Sequence, residues 1–168
     1  LDDVVHIQSL RSNDVANPAP IQIEWRGWQG FASVEAVRQT AEDLFTCAAW
    51  ANALEALLKL GMDGQTSAQF VSAAMVGRGR EYFGHPDTLD LLPGASSFRK
   101  AGAVILKRGS HQGAVDPAEA RTMGRQWFEV AEATESDSLV DEALTSLGLL
   151  NATERTRVFG YMKAVRAK

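Results

Sequence analysis

Residues 96–109 read Ser96-Ser97-Phe98-Arg99-Lys100-Ala101-Gly102-Ala103-Val104-Ile105-Leu106-Lys107-Arg108-Gly109, and the fold class turns on them. Two readings fit. In the first, Ser96 or Ser97 caps a helix, Lys107 and Arg108 place cations at its C-terminus, and Gly109 stops it. In the second, Ala103-Val104-Ile105-Leu106 is a short apolar strand. We adopt the helix, because the segments on either side follow helical grammar.

Upstream, Ser33 serves as an N-cap with Glu35 in the first turn. Val34, Val37, Ala41, Leu44, Ala48 and Ala51 then recur at spacings of three and four. A second row, Cys47, Trp50, Leu54, Leu57 and Leu58, widens the stripe, and Gly61 lies where a C-terminal cap belongs. A second helix opens at Thr66 or Ser67 and carries Phe70, Val71, Ala74 and Met75. Gly77 and Gly79 weaken its continuation toward Tyr82 and Phe83. His85-Pro86 and Pro93-Gly94 punctuate a connection holding Leu89, Leu91 and Leu92.

Downstream, Asp116-Pro117-Ala118-Glu119 joins a cap acid, a proline at the first helical position and an acid three residues after the cap. Ser136 or Asp137 opens a shorter helix that Gly148 ends. Asn151-Ala152-Thr153-Glu154 repeats the capping pattern ahead of Val158, Phe159, Met162 and Val165. The expectation is a mainly α fold, with about six helices around one core. It assigns 33–168 to a single helical domain.

Residues 1–32 differ. Pro18 and Pro20 precede the alternating Ile21-Gln22-Ile23-Glu24-Trp25, which reads as an extended or β N-terminal arm, broken at Gly27 and Gly30. Asp3 to Leu10 holds β-formers and is a second extended piece. The two pieces either pair as a ribbon or lie on a neighbouring molecule.

The 168 residues fit one domain, and 45% apolar composition supplies a core without staples. Cys47, the single cysteine, rules out an intrachain disulfide and reads as a buried hydrophobe. The longest apolar stretch, 44–58, is shorter than the ~20 residues of a bilayer span, so no membrane span is expected. The chain starts at Leu1 rather than Met, which leaves room for a removed export signal. The expected location is cytoplasmic or within an assembled particle. Net charge is −4, laid out in blocks: −5 over 1–63, +3 over 64–112, −6 over 113–150 and +4 over 151–168.

His6, His85 and His111 stand singly, and none forms a metal-ligand pair on a helix face. Glu129, Glu132 and Glu135 share a helix face without a histidine, the pattern of a solvated surface. Gly77-Arg78-Gly79-Arg80 lacks the lysine-hydroxyl end of a phosphate loop. We therefore assign no catalytic residue, metal or cofactor. Trp28-Gln29-Gly30-Phe31 ahead of a helix, with Gly77-Arg78-Gly79-Arg80 after it, resembles the amino-terminal part of helical RNA-virus nucleoproteins over a few short words. The intervening residues do not follow that pattern, and no family is assigned.

These features point first to a non-enzymatic structural or interaction protein, a homo-oligomer that self-assembles through its arm. Its interface candidates are Ile21, Ile23, Trp25 and Trp28. The alternative is a coat- or nucleoprotein-like module binding single-stranded nucleic acid through Arg78, Arg80, Arg99, Lys100, Lys107 and Arg108, where arginine forks and interleaved aromatics suit phosphates and bases. A second alternative is an enzyme whose site is assembled from scattered residues.

Overall fold

The computed structural model describes residues 4–10, 19–148 and 152–167. The expected caps at Ser33 and Asp116 are both present. Ser33 Oγ accepts from the Ala36 N–H and opens α1, Val34–Lys59, while Asp116 accepts from the Glu119 N–H and opens α3, Pro117–Ser146. Gly61 and Gly148 follow these helices with positive φ, as expected of residues that turn the chain out of a helix. The second helix, α2, spans Gly64–Gly77. It starts earlier than expected because Asp63 caps it, its side chain accepting from the Thr66 N–H at 2.7 Å. The last helix, α4, spans Ala152–Arg166; its expected cap Asn151 lies outside the described residues, as do Asp3 and Pro18.

The mainly α expectation is overturned. Among the described residues there are four helices and seven strands in two antiparallel sheets, with 55% helix and 24% strand, so sheet is a full partner in the core. Two helices of the expected six disappear by merging or conversion. The helices expected to start at Asp116 and at Ser136 or Asp137 are one rod, α3, because no Gly or Pro interrupts residues 125–146. The helix expected from Ser96 to Arg108 is instead two strands and a turn. β5, Asp90–Ser96, pairs antiparallel with β6, Ala101–Arg108, and β6 pairs with β7, His111–Val115. β4, Phe83–Gly84, completes this sheet in the order β4-β5-β6-β7.

Burial along β6 alternates, with Gly102, Val104 and Leu106 buried and Ala101, Ala103 and Ile105 only half-covered. A period of two is the mark of a strand with one face on the core. Neighbouring strands on both sides satisfy its backbone donors and acceptors, which a lone segment could only satisfy as helix.

The N-terminal residues form the other sheet. β1, His6–Ser9, β2, Ile21–Trp25, and β3, Trp28–Ala32, are antiparallel in that order. Arg26 and Gly27 join β2 to β3 as a two-residue turn with φ of 50° and 82°, the backbone a type I′ hairpin requires. The expected break at Gly27 is thus a reversal, and Gly30 sits inside a strand opposite Ile23.

Helix α1 lies between α3 on one side and the four-stranded sheet on the other. Glycine permits close approach on both faces. A Cβ on Gly102 would meet the Ala51 carbonyl oxygen at less than 3.0 Å, and one on Gly124 of α3 would meet the Phe45 ring at 2.8 Å. Alanines 41, 48 and 51 of α1 are fully buried there, while Leu44, Val104, Leu106 and Trp127 fill the larger gaps. Each large apolar side chain so buried contributes roughly 1.5–3 kcal/mol.

Candidate interaction surface

The polar edge of α1 organises the segment that follows α2. Asp43 is buried, and its carboxylate accepts from both Arg80 guanidinium nitrogens, at 3.0 and 2.8 Å, and from the Gly84 N–H at 2.8 Å. Gln39 donates to the Gly84 carbonyl at 2.8 Å, and Thr40 meets the Thr88 hydroxyl. The Asp43 hydrogen bonds raise the Arg80 pKa above its ordinary value. Cys47, one turn further along α1, is buried beside this pair. Desolvation first, then the Asp43 charge, pushes its thiol far up, which makes it a packing residue rather than a nucleophile.

The six cations proposed for nucleic acid separate into different environments. Arg80 is held by Asp43. Arg78 stacks over the Trp50 ring at 5.1 Å. Arg108 stacks over Trp28 at 4.5 Å and donates to the Pro86 and Thr88 carbonyls. Arg99 and Lys100 are exposed in the β5–β6 turn, and Lys107 is exposed near the opposite end of β6. At about 3.3 Å per residue, the ends of β6 lie roughly 23 Å apart. Arg99 and Lys100 adjoin in one turn, while Arg78, Arg80 and Arg108 are each engaged by other groups of the chain.

The four interface candidates are mostly covered. Ile21 and Ile23 are fully buried and Trp25 is 2% exposed, in the cluster that includes α1 and Trp127 of α3. Trp28 is half-buried beneath Arg108. Three of the four are covered within one chain, so their burial requires no second copy.

No group of three or more potential metal ligands occurs among the described residues. His85 lies 3.8 Å from Asp87, and His111 meets the edge of Trp25. Glu135 on the acidic face of α3 is paired with Arg38 of α1. A cleft of about 600 Å³ lies between the two sheets and the first turns of α3, lined by Trp25, Arg26, Asp116, Glu119 and Met123 among others. Burial and the neighbouring Asp116 raise the Glu119 pKa. Among the described residues lining this cleft there is no histidine or cysteine; its hydroxyl and carboxyl groups are those of Thr122, Asp116 and Glu119.

The most distinctive surface is on α2. The sequence between Asp63 and Arg78 contains no charged residue, yet eleven of its fourteen positions are not core: Phe70 is 55% exposed and Val76 is 77% exposed. Beside it runs an open apolar groove of about 340 Å³. Its walls are Trp50, Ala53, Leu54 and Leu57 of α1 and Phe70, Val71 and Ala74 of α2. Surface helices ordinarily carry charges on their solvent face, whereas interface cores are depleted of charge and enriched in aromatics. The absence of charge from 64 to 77 was readable directly from the sequence. The groove was not, because it depends on how far α2 stands from α1. Compared with known protein families, curated proteins and solved structures, the chain matches none.

Proposed function

We propose that this chain is a non-enzymatic interaction protein that self-assembles, two copies meeting through α2 and the groove it forms with α1. The observation that carries this reading is an exposed, uncharged helix flanking an apolar groove whose rim includes Phe70. An uncharged helix meets its own copy across a two-fold axis without like-charge repulsion. It offers no counter-charge to a strongly charged partner. Cytoplasm or an assembled particle would both accommodate such a pair.

The test is sedimentation velocity over a concentration series of wild type and Phe70→Asp. Phe70 is more than half exposed, so circular dichroism of the variant should match wild type. The expected result is a concentration-dependent dimer whose dissociation constant weakens at least tenfold in the variant, about 1.4 kcal/mol. A wild type that stays monomeric up to about 0.5 mM, corresponding to an association weaker than roughly 4–5 kcal/mol, refutes self-assembly. A dimer that Phe70→Asp leaves intact refutes the assignment of the surface.

A further inference from the structure

At one end of the molecule two loops lie side by side. The α1–α2 turn, residues 60–63, leads into Gly64, which packs against Ser97 so closely that a Cβ there would clash with the Ser97 hydroxyl. Ser97 belongs to the β5–β6 turn, residues 97–100. Each loop presents a large apolar side chain to solvent: Leu60 is 84% exposed and Phe98 is 96% exposed. Each also brings cations, Lys59 beside Leu60 and Arg99 with Lys100 beside Phe98, all exposed. Asp63 is the one acid in residues 59–63 and 97–100, and its carboxylate is engaged by the Thr66 N–H as the cap of α2; Lys59 also lies 3.8 Å from Glu55, one turn back on α1.

The β5–β6 turn has a defined shape. The Arg99 N–H donates to Ser96 Oγ at 3.3 Å, and Lys100 holds a φ of 51° that leads the chain back into β6. Phe98 is thereby held outward at the tip of a hairpin that α2 supports from the side.

We propose that this end docks on an anionic lipid surface, Leu60 and Phe98 entering the headgroup–acyl boundary while Lys59, Arg99 and Lys100 meet lipid phosphates and carboxylates. Two loops with apolar tips and flanking cations match the chemistry of that boundary, where apolar burial and attraction to anionic headgroups act together. A single-stranded nucleic acid fits less well. It needs successive aromatic platforms along a cationic track, and here one aromatic stands beside an aliphatic residue that cannot stack. The inference stands apart from the pairing through α2.

The experiment is co-sedimentation of the full chain with vesicles of phosphatidylcholine alone and with about 30% phosphatidylserine. The proteins are wild type, Leu60→Ser/Phe98→Ser, Arg99→Ser/Lys100→Ser, and Phe70→Asp. Each cation near an anionic surface strengthens partitioning about fivefold. The expected result is binding to the anionic vesicles only, weakened at least tenfold in each loop variant, reduced by salt, and retained in Phe70→Asp. Absence of binding to anionic vesicles, or binding that both loop variants leave unchanged, overturns the proposal. So does binding of a single-stranded oligonucleotide that the loop variants abolish while vesicles go unbound. All four substituted loop residues are exposed, so thermal melts should confirm that folding is intact.

Discussion

Replacing Asp43 with alanine tests whether the α1 polar edge holds β4 and Arg80 in place. The substitution removes three acceptor contacts at once: two from Arg80 and one from the Gly84 N–H. Removing one partner of a fully buried ion pair costs about 3–5 kcal/mol. Here the Asp43 side chain is 7% exposed but Arg80 is 32% exposed, so the abandoned guanidinium still reaches water. The ion-pair loss therefore falls to roughly 2 kcal/mol. The Gly84 N–H has no such escape, since Gly84 is buried, and an orphaned buried donor costs about 1–3 kcal/mol. The sum is about 3–5 kcal/mol, a large share of the 5–15 kcal/mol typical of a domain. Urea unfolding followed by circular dichroism should show the unfolding free energy fall by that amount, through a lower midpoint at unchanged slope. Asp43→Asn keeps one carbonyl oxygen for Gly84 and should lose only about 1–2 kcal/mol. In the cycle with Arg80→Ala, the two losses should be non-additive by at least about 1 kcal/mol. If Asp43→Ala loses less than about 1 kcal/mol, or the cycle is additive, the pair does not pin β4 and the reasoning fails.

Gly102→Ala should be strongly destabilising, by about 3 kcal/mol or enough to prevent folding, because its methyl collides with the Ala51 carbonyl of a helix that α3 holds from behind. Gly160→Ala in α4 is the contrast: nothing lies within 4 Å, and the helix should gain about 0.5–1 kcal/mol, both readable from thermal melts. Cys47 should resist a disulfide reagent in the native state at neutral pH and react at the rate of a free thiol in denaturant. Rapid labelling of the folded protein would show that the thiol is not enclosed between α1 and its neighbours.

Local signals carried a definite part of the structure. The residues that start and stop helices act within four positions of themselves, so Ser33, Gly61, Asp116-Pro117 and Gly148 marked true ends without any knowledge of what the helices touch. The uncharged run 64–77 was equally plain, because composition does not depend on folding. The absence of a long apolar span also held: among the described residues, no helix is long and apolar enough to cross a membrane.

The two N-terminal extended pieces do pair as a ribbon, β1 with β2, but other readings that required a distant partner failed. The stretch from Ser96 to Gly109 carries good caps for a helix, and it becomes strand because β5 and β7 accept its backbone on both sides and α1 covers Gly102, Val104 and Leu106. Those hydrogen bonds and that burial outweigh a few tenths of a kcal/mol per residue of propensity. Trp25 likewise resembled an exposed anchor only while α1, α3 and β7 were unplaced. Its ring is enclosed by residues up to about ninety positions away, near enough to Gly113 that a side chain there would touch it. Helix ends and charge content are properties of neighbours in the chain. Sheet membership, burial, and which cations remain free for a partner are properties of neighbours in space, and those the tertiary fold alone decided.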